Sequence, residues 1–369
     1  MENQNFSFKQ EGTTIMLSGF LDGAGMLEIE KIIEPGNIYV LDFDGVNGIN
    51  FAAMRALIRC RQDNKRFLII NVGDAVAERL EDTGVSSLLS VCRKPKPLDM
   101  SQYVEFGASF LSKAYNSKDG DSMIKVYGAR VSKTLAAQEK AVAKAVLLFG
   151  LPTPLVGSLY VDGDHSALDF ERIEGKRSFS RVVSEEPERL EEMSIRFARM
   201  CKKLHTTPCD TNMFNDRKLY YKAAIERCKC MTDDEKSRAY DFLNSIPDVT
   251  TCLHGDMQMS NVITTGKEDM WIDLSDFGYG YPMLDLGMWY FLSRLNTEER
   301  CRDLFHLGLE DMGRVWDAFA KEYFNVNTEA ELAEVNKKVE KFAALHMLYL
   351  GSTYGFEPGM MDYIKAKIF

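Results

Sequence analysis

The sequence predicts an α/β layer domain followed by an α+β part in which a small β-rich lobe leads into a larger helical lobe. Three observations carry this. Short β-rich runs alternate with helix-like stretches over about the first 95 residues. The basic, proline-broken segment Arg93-Lys94-Pro95-Lys96-Pro97 then interrupts any periodic pattern and reads as a linker. Beyond it, three strand-like segments give way to mostly helical periodicity.

Taken in order, Ile38–Phe43 and Phe67–Val72 are β-rich, and Phe51–Arg61 and Ala75–Leu80 have apolar residues at helical spacing. Tyr103–Phe110, Leu111–Tyr115 and Ser122–Tyr127 read as a small antiparallel sheet, with Asn116-Ser117-Lys118-Asp119-Gly120 as a hairpin loop. Lys133–Phe149 follows as a helix. Thr232-x-x-Glu235 and Thr328-x-x-Glu331 are capping boxes that open later helices. The domains are therefore set at 1–97 and 98–369, with the small lobe at about 98–170 and the helical lobe at about 174–369. A cut at the linker should leave a second part that still binds its ligand, unless the first domain covers apolar surface on it.

At 369 residues, 45% apolar and 27% charged, the chain has the composition of a soluble globular protein with more than one core. No apolar run approaches the roughly 18–20 residues that span a bilayer. The segment Met1 to Phe8 lacks the basic stretch and apolar core of a signal peptide, so the expectation is a cytoplasmic protein without membrane association. The eight cysteines are scattered and form no C-x-x-C pair, which reads as buried or incidental thiols. A net charge of −10 argues against nucleic acid as a partner, because phosphate backbones want clustered Lys and Arg.

The run Leu41-Asp42-Phe43-Asp44-Gly45-Val46, the helix after it, Ile69-Ile70-Asn71-Val72-Gly73 and Leu80-Glu81-Asp82-Thr83-Gly84-Val85 resemble a STAS domain, the fold of anti-sigma-factor antagonists. Switch members of that family carry a phosphorylatable serine in an Asp-Ser-Ser-Gly turn. Here the turn is Asn50-Phe51-Ala52-Ala53, which has no hydroxyl. The resemblance therefore implies docking of a protein partner or self-association rather than a phosphorylation switch.

The chemistry lies in His254-Gly255-Asp256-Met257-Gln258-Met259-Ser260-Asn261 and in Trp271-Ile272-Asp273. A carboxylate, an amide five residues later and a second carboxylate after an apolar strand are what phosphoryl transfer from Mg-ATP requires. One Asp orients the acceptor hydroxyl and takes its proton, while the Asn and the other Asp hold the metal. This block resembles the catalytic loop of the aminoglycoside phosphotransferase, choline kinase and homoserine kinase superfamily, which has a protein-kinase-like fold. The resemblance implies that Asp256 is the catalytic base and that Asn261 and Asp273 are the metal ligands. Asp285 matches the family's second buried Asp, with an N-cap role as the alternative. His254 and His205 read as structural. Ser275-Asp276-Phe277-Gly278 spells a protein-kinase metal motif, but Asp276 lies in a glycine-rich turn where a carboxylate would be held less rigidly than at Asp273.

In the small lobe, Lys125 interrupts the apolar strand Met123-Ile124-Lys125-Val126-Tyr127, and Glu139 follows fourteen residues later on a helix. The family resemblance implies that Lys125 holds the nucleotide phosphates while paired to Glu139. It also implies that Ser109, in Glu105-Phe106-Gly107-Ala108-Ser109, helps cover the phosphates. Phe170-Glu171-Arg172-Ile173-Glu174-Gly175 resembles the hinge joining the lobes, where adenine would meet the backbone of Glu171 and Ile173.

Together these readings predict an ATP- and Mg²⁺-dependent transfer of the γ-phosphate to a small-molecule hydroxyl, with GTP an open alternative to ATP. The acidic excess, most of it after residue 97, leans toward a cationic acceptor such as an aminoglycoside, choline or another amino alcohol. The competing reading is a non-catalytic nucleotide-binding scaffold or sensor acting through the STAS-like domain.

Overall fold

A computed structural model describes residues 6–34, 36–108, 112–129 and 133–368. The chain divides into two compact units, one of residues up to 148 plus 154–172, the other of residues 149–153 plus 173–369.

The first unit opens with β1 (Ser7–Glu11), β2 (Thr14–Leu21), α1 (Gly23–Ile32), β3 (Ile38–Ile49), α2 (Phe51–Gln62), β4 (Arg66–Val72), α3 (Asp74–Asp82), α4 (Val85–Leu88) and β5 (Val91–Arg93). The strands form one sheet in the order β1-β2-β3-β4-β5. β1 is antiparallel to β2, and the remaining pairs are parallel. Helices between successive parallel strands are the connection such pairing demands. Asn50 caps α2 through its side chain, which accepts from the Ala53 N–H at 2.9 Å. One face of the sheet packs Leu41, Phe43 and Ile69 against Met26 and Ile29 of α1, Leu57 of α2 and Leu80 of α3.

The chain continues through β6 (Lys96–Pro97), β7 (Tyr103–Ala108), β8 (Ser112–Ser117), β9 (Ser122–Tyr127), α5 (Lys133–Leu148), β10 (Val156–Asp162) and β11 (His165–Glu171). These strands form a second sheet in the order β6-β10-β11-β9-β8-β7. The antiparallel β7-β8-β9 arrangement is the one the sequence predicts.

The segment read as a linker is structured at both ends. The Lys94 N–H donates to Val72 of the first sheet at 3.0 Å, and the Leu98 N–H donates to Val161 of the second at 2.9 Å. β6 runs parallel to β10 at the edge of its sheet, the position that tolerates a proline without an N–H. Composition alone registers two prolines as a break and misses the edge pairing of Lys96 and Pro97.

The second unit contains β12 (Arg177–Ser178), α6 (Phe179–Glu185), α7 (Leu190–Thr206), α8 (Lys218–Arg227), α9 (Asp233–Ser245), β13 (Cys252–Leu253), β14 (Val262–Thr264), β15 (Asp269–Trp271) and β16 (Gly278–Tyr279). Five helices follow: α10 (Met283–Arg294), α11 (Glu298–Phe305), α12 (Leu309–Phe324), α13 (Glu329–Tyr354) and α14 (Met360–Ile368). Both predicted capping boxes are formed, at the starts of α9 and α13. Phe197 of α7 is the aromatic hub, with ring centroids 5.3 Å from Trp289 and Phe319 and 6.0 Å from Trp271. Gly287 lets α10 approach α13, since a Cβ there would lie 2.5 Å from the Phe342 backbone. No helix among the described residues is long and apolar enough to cross a membrane.

Candidate active site

The loop from β13 to β14 carries His254 to Asn261 and is held from three sides. Asp285 lies beneath it, buried in the first turn of α10. Its carboxylate accepts from the His254 N–H at 2.7 Å, the Gly255 N–H at 3.0 Å and His205 Nε2 at 3.2 Å. Burial alone would raise this carboxyl, but the His205 and backbone donors outweigh it and hold it below the ordinary carboxylate range. Asp285 is therefore not a helix cap. Pro282 occupies the cap position, and the Asp285 side chain is turned to the loop.

His254 and His205 are structural, as their surroundings in the sequence suggest. His254 Nε2 donates to the Ile272 carbonyl at 3.1 Å, its Nδ1 accepts from the Asp256 N–H at 3.3 Å, and its ring lies 5.0 Å from that of Trp271. His205 accepts at Nδ1 from the Tyr323 hydroxyl at 2.8 Å. With both nitrogens committed in each ring, neither has a lone pair to serve as a general base.

Gly255 makes the bend possible. Its φ is +80°, and a Cβ would meet the Asp276 carbonyl oxygen at 2.0 Å. Asp256 then emerges half-buried. Asn261 Nδ2 donates to its carboxylate at 2.8 Å and to its backbone carbonyl at 2.9 Å. Gln258 Nε2 donates to both carboxylate oxygens, at 3.2 and 3.1 Å. Burial pushes the Asp256 carboxyl up, and the like charge of Asp273 adds to this, against the lowering effect of His254 and the two amide donors.

Asp273 is exposed and adopts a left-handed backbone, φ +57°, two residues past the end of β15. Such a conformation is costly for a residue with a Cβ and concentrates at functional positions. The nearest described polar partner of its carboxylate is the Ser275 hydroxyl at 3.5 Å. Because Asn261 spends its NH₂ group on Asp256, its Oδ1 oxygen is the side left to meet a cation. One amide and one carboxylate oxygen fit Mg²⁺, a hard cation that completes its octahedron with water and phosphate. Among the described residues no cluster of three or more His, Cys, Asp or Glu could hold a metal ion, which is consistent with so sparse a donor set.

Asp276 is not loosely held, contrary to the sequence expectation. The buried Arg217 guanidinium donates to its carbonyl at 2.8 Å and to its carboxylate at 3.2 Å, and reaches the Gly255 carbonyl at 3.4 Å. Arg217 and Gln258 are contributors that the motif reading did not single out. Gln258 could have been found from its place two residues after Asp256. Arg217 gives no signal, since it sits in irregular chain before α8.

In the first unit, Lys125 Nζ contacts both oxygens of Glu139, at 2.9 and 3.1 Å. The Tyr127 hydroxyl donates to the same carboxylate at 2.5 Å, a third member of the cluster. Glu171 ends β11, and the division between the two units falls between Arg172 and Ile173. Ser109 lies outside the described residues.

The signature of the phosphotransferase enzyme family matches residues 103–320, spanning β7 through most of α12. The chain belongs to that family. It is an enzyme, a phosphotransferase, and the non-catalytic scaffold reading falls away. No curated protein matches the sequence. Solved structures with a similar fold include a choline/ethanolamine kinase family protein from Mesorhizobium loti, 15% identical, TM-score 0.45, covering 72% of this chain and 85% of that one. The streptomycin–ATP complex of APH(2")-IIa is 16% identical, TM-score 0.46, covering 73% and 93%. The AMP-PNP and hygromycin B complex of aminoglycoside phosphotransferase APH(4)-Ia is 13% identical, TM-score 0.49, also covering 73% and 93%. Likeness of that degree concerns the fold and carries nothing about nucleotide or acceptor.

Proposed function

We propose that this phosphotransferase moves the γ-phosphate of ATP to a hydroxyl of a small molecule, with Asp256 as base. The observation that carries the reading is the double grip of Asn261 on Asp256, which fixes one carboxylate between two amide donors. Asp256 accepts the proton of the acceptor hydroxyl as its oxygen forms the new bond to phosphorus and the bond to the ADP oxygen breaks. Gln258 and Asn261 keep the carboxylate aimed and favour its charged form, which a base requires. Asn261 and Asp273 would hold Mg²⁺, which when bound neutralises charge building on the transferred phosphoryl group. Lys125, oriented by Glu139, takes the α- and β-phosphates. Glu171 and Ile173 offer backbone groups to the adenine.

The acidic sequence favours an acceptor bearing a cation, such as an amino alcohol or an aminoglycoside. The N-terminal domain, read as STAS-like, would add a docking or self-association surface. The test is an ADP-release assay with Mg-ATP over amino alcohols, sugars and aminoglycosides, run beside Asp256→Asn. Acceptor-dependent ADP release that survives in Asp256→Asn would overturn the reading.

A further inference from the structure

The inner face of the first sheet is not the only one covered. Leu68 and Ile70 of β4 point away from Ile69, and with Val40 of β3 and Cys92 of β5 they bury themselves against Ala136 and Ala137 of α5. Leu159 and Leu168 of the second sheet join the same cluster, so α5 is sandwiched between two sheets. Two alanines at the contact let the backbones come close, and the Cys92 thiol lies 3.6 Å from the Ala137 carbonyl. Farther along the helix, Lys144 Nζ donates to the Ser86 carbonyl at 3.3 Å.

Glu139 lies one helical turn beyond Ala136 and shares its face. Tyr127, whose hydroxyl holds Glu139, belongs to that shared cluster and is 2% exposed. Its ring also lies 5.4 Å from Lys125 Nζ.

We propose that the N-terminal sheet is a brace for α5, and that Leu68, Ile70 and Tyr127 are positioning residues for the Lys125–Glu139 pair. Nucleotide affinity then depends on a domain that contributes no group to the nucleotide. Packed interiors transmit displacement because they have few voids to absorb it. Loosening the contact with the first sheet frees α5 to slide or rotate, and Glu139 moves with it. This inference rests on the reading that the Lys125–Glu139 pair serves ATP.

The test uses full-length protein and exploits two neighbours on opposite faces of β4. Leu68→Ala removes the brace contact, whereas Ile69→Val perturbs only the first domain's own core. Hydrogen–deuterium exchange over residues 133–148 and the Kd for Mg-ATP are measured in both, and the Kd alone in Tyr127→Phe. Leu68→Ala should speed exchange in α5 and weaken ATP several-fold, and Ile69→Val should change neither. Tyr127→Phe, which loses one hydrogen bond to a charged group, should weaken ATP by about 10-fold. Unchanged exchange in Leu68→Ala overturns the brace whatever the activity, and so does an equal response in Ile69→Val. Wild-type ATP affinity in Tyr127→Phe overturns its positioning role even if Leu68→Ala does not fold. A wild-type protein that binds no ATP sinks the nucleotide reading itself, a result distinct from ATP binding that ignores Leu68.

Discussion

Arg217 grips Asp276 twice, at its carbonyl and at its carboxylate, and thereby occupies the aspartate that a motif search would choose as the metal ligand. Asp273 stands three residues earlier, exposed, in a strained backbone, with a long contact to the Ser275 hydroxyl among the described residues. Asp273→Ala should therefore abolish Mg²⁺-dependent turnover. Asp276→Ala should instead lower stability by about 1–3 kcal/mol, because it leaves the buried guanidinium short of a partner. Mg²⁺ titration of turnover and thermal melting of the two variants side by side separate these outcomes. Loss of Mg²⁺ dependence confined to Asp276→Ala would reverse the assignment.

For Asp256, substitution by Asn keeps the shape and removes the carboxylate proposed as base. Turnover should fall by on the order of 10² or more, while ATP affinity stays near its original value. Steady-state kinetics with calorimetric ATP titration is the check.

At Gly255 the prediction is steric. Adding a methyl group at φ +80°, 2.0 Å from the Asp276 oxygen, forces the loop to move. Gly255→Ala should cost about 1–3 kcal/mol of stability and most of the turnover, because Asp256 is the next residue. A melting curve and a single-turnover measurement read the two effects separately.

His346 in α13 gives the fold a pH dependence. Burial in the apolar interior, with Arg217 adding repulsion, pushes its imidazole down to about 3 from an ordinary value of 6.5. The unfolded chain therefore binds a proton between those values that the folded chain refuses. Its contribution to stability is complete above pH 6.5 and is lost as pH falls toward 3, by about 1.4 kcal/mol per pH unit inside that window. Chemical denaturation at pH 7, 6 and 5, with and without His346→Leu, should show a shallower slope in the variant.

Much of this arrangement is legible in the sequence because it is local. The candidate catalytic loop occupies eight consecutive residues, and the capping boxes need only a Thr and a Glu three apart. Lys125 is conspicuous as one charge in an apolar strand, and the structure sets it against Glu139 on the next helix. What escapes notice is made by distant chain. Arg217 reaches Asp276 across 59 residues from a segment without periodicity. Tyr127 looks like one more apolar strand residue until its hydroxyl is seen on Glu139. The continuous run Phe67-Leu68-Ile69-Ile70 does hold a clue, because a strand solvated on one face would alternate. Its lack of alternation announces a covering on both sides, but not that α5, more than sixty residues further along the same compact unit, supplies one of them.

That double covering has a practical meaning for anyone who would treat the first 97 residues as a detachable cassette. A fragment started at residue 98 loses β6 from the edge of the second sheet and bares Ala136 and Ala137. The excised N-terminal piece bares Val40, Leu68 and Ile70 in turn. Each half would carry a sticky apolar face suited to the other, so co-expressed halves should find each other and reassemble, whereas either half made alone should clump.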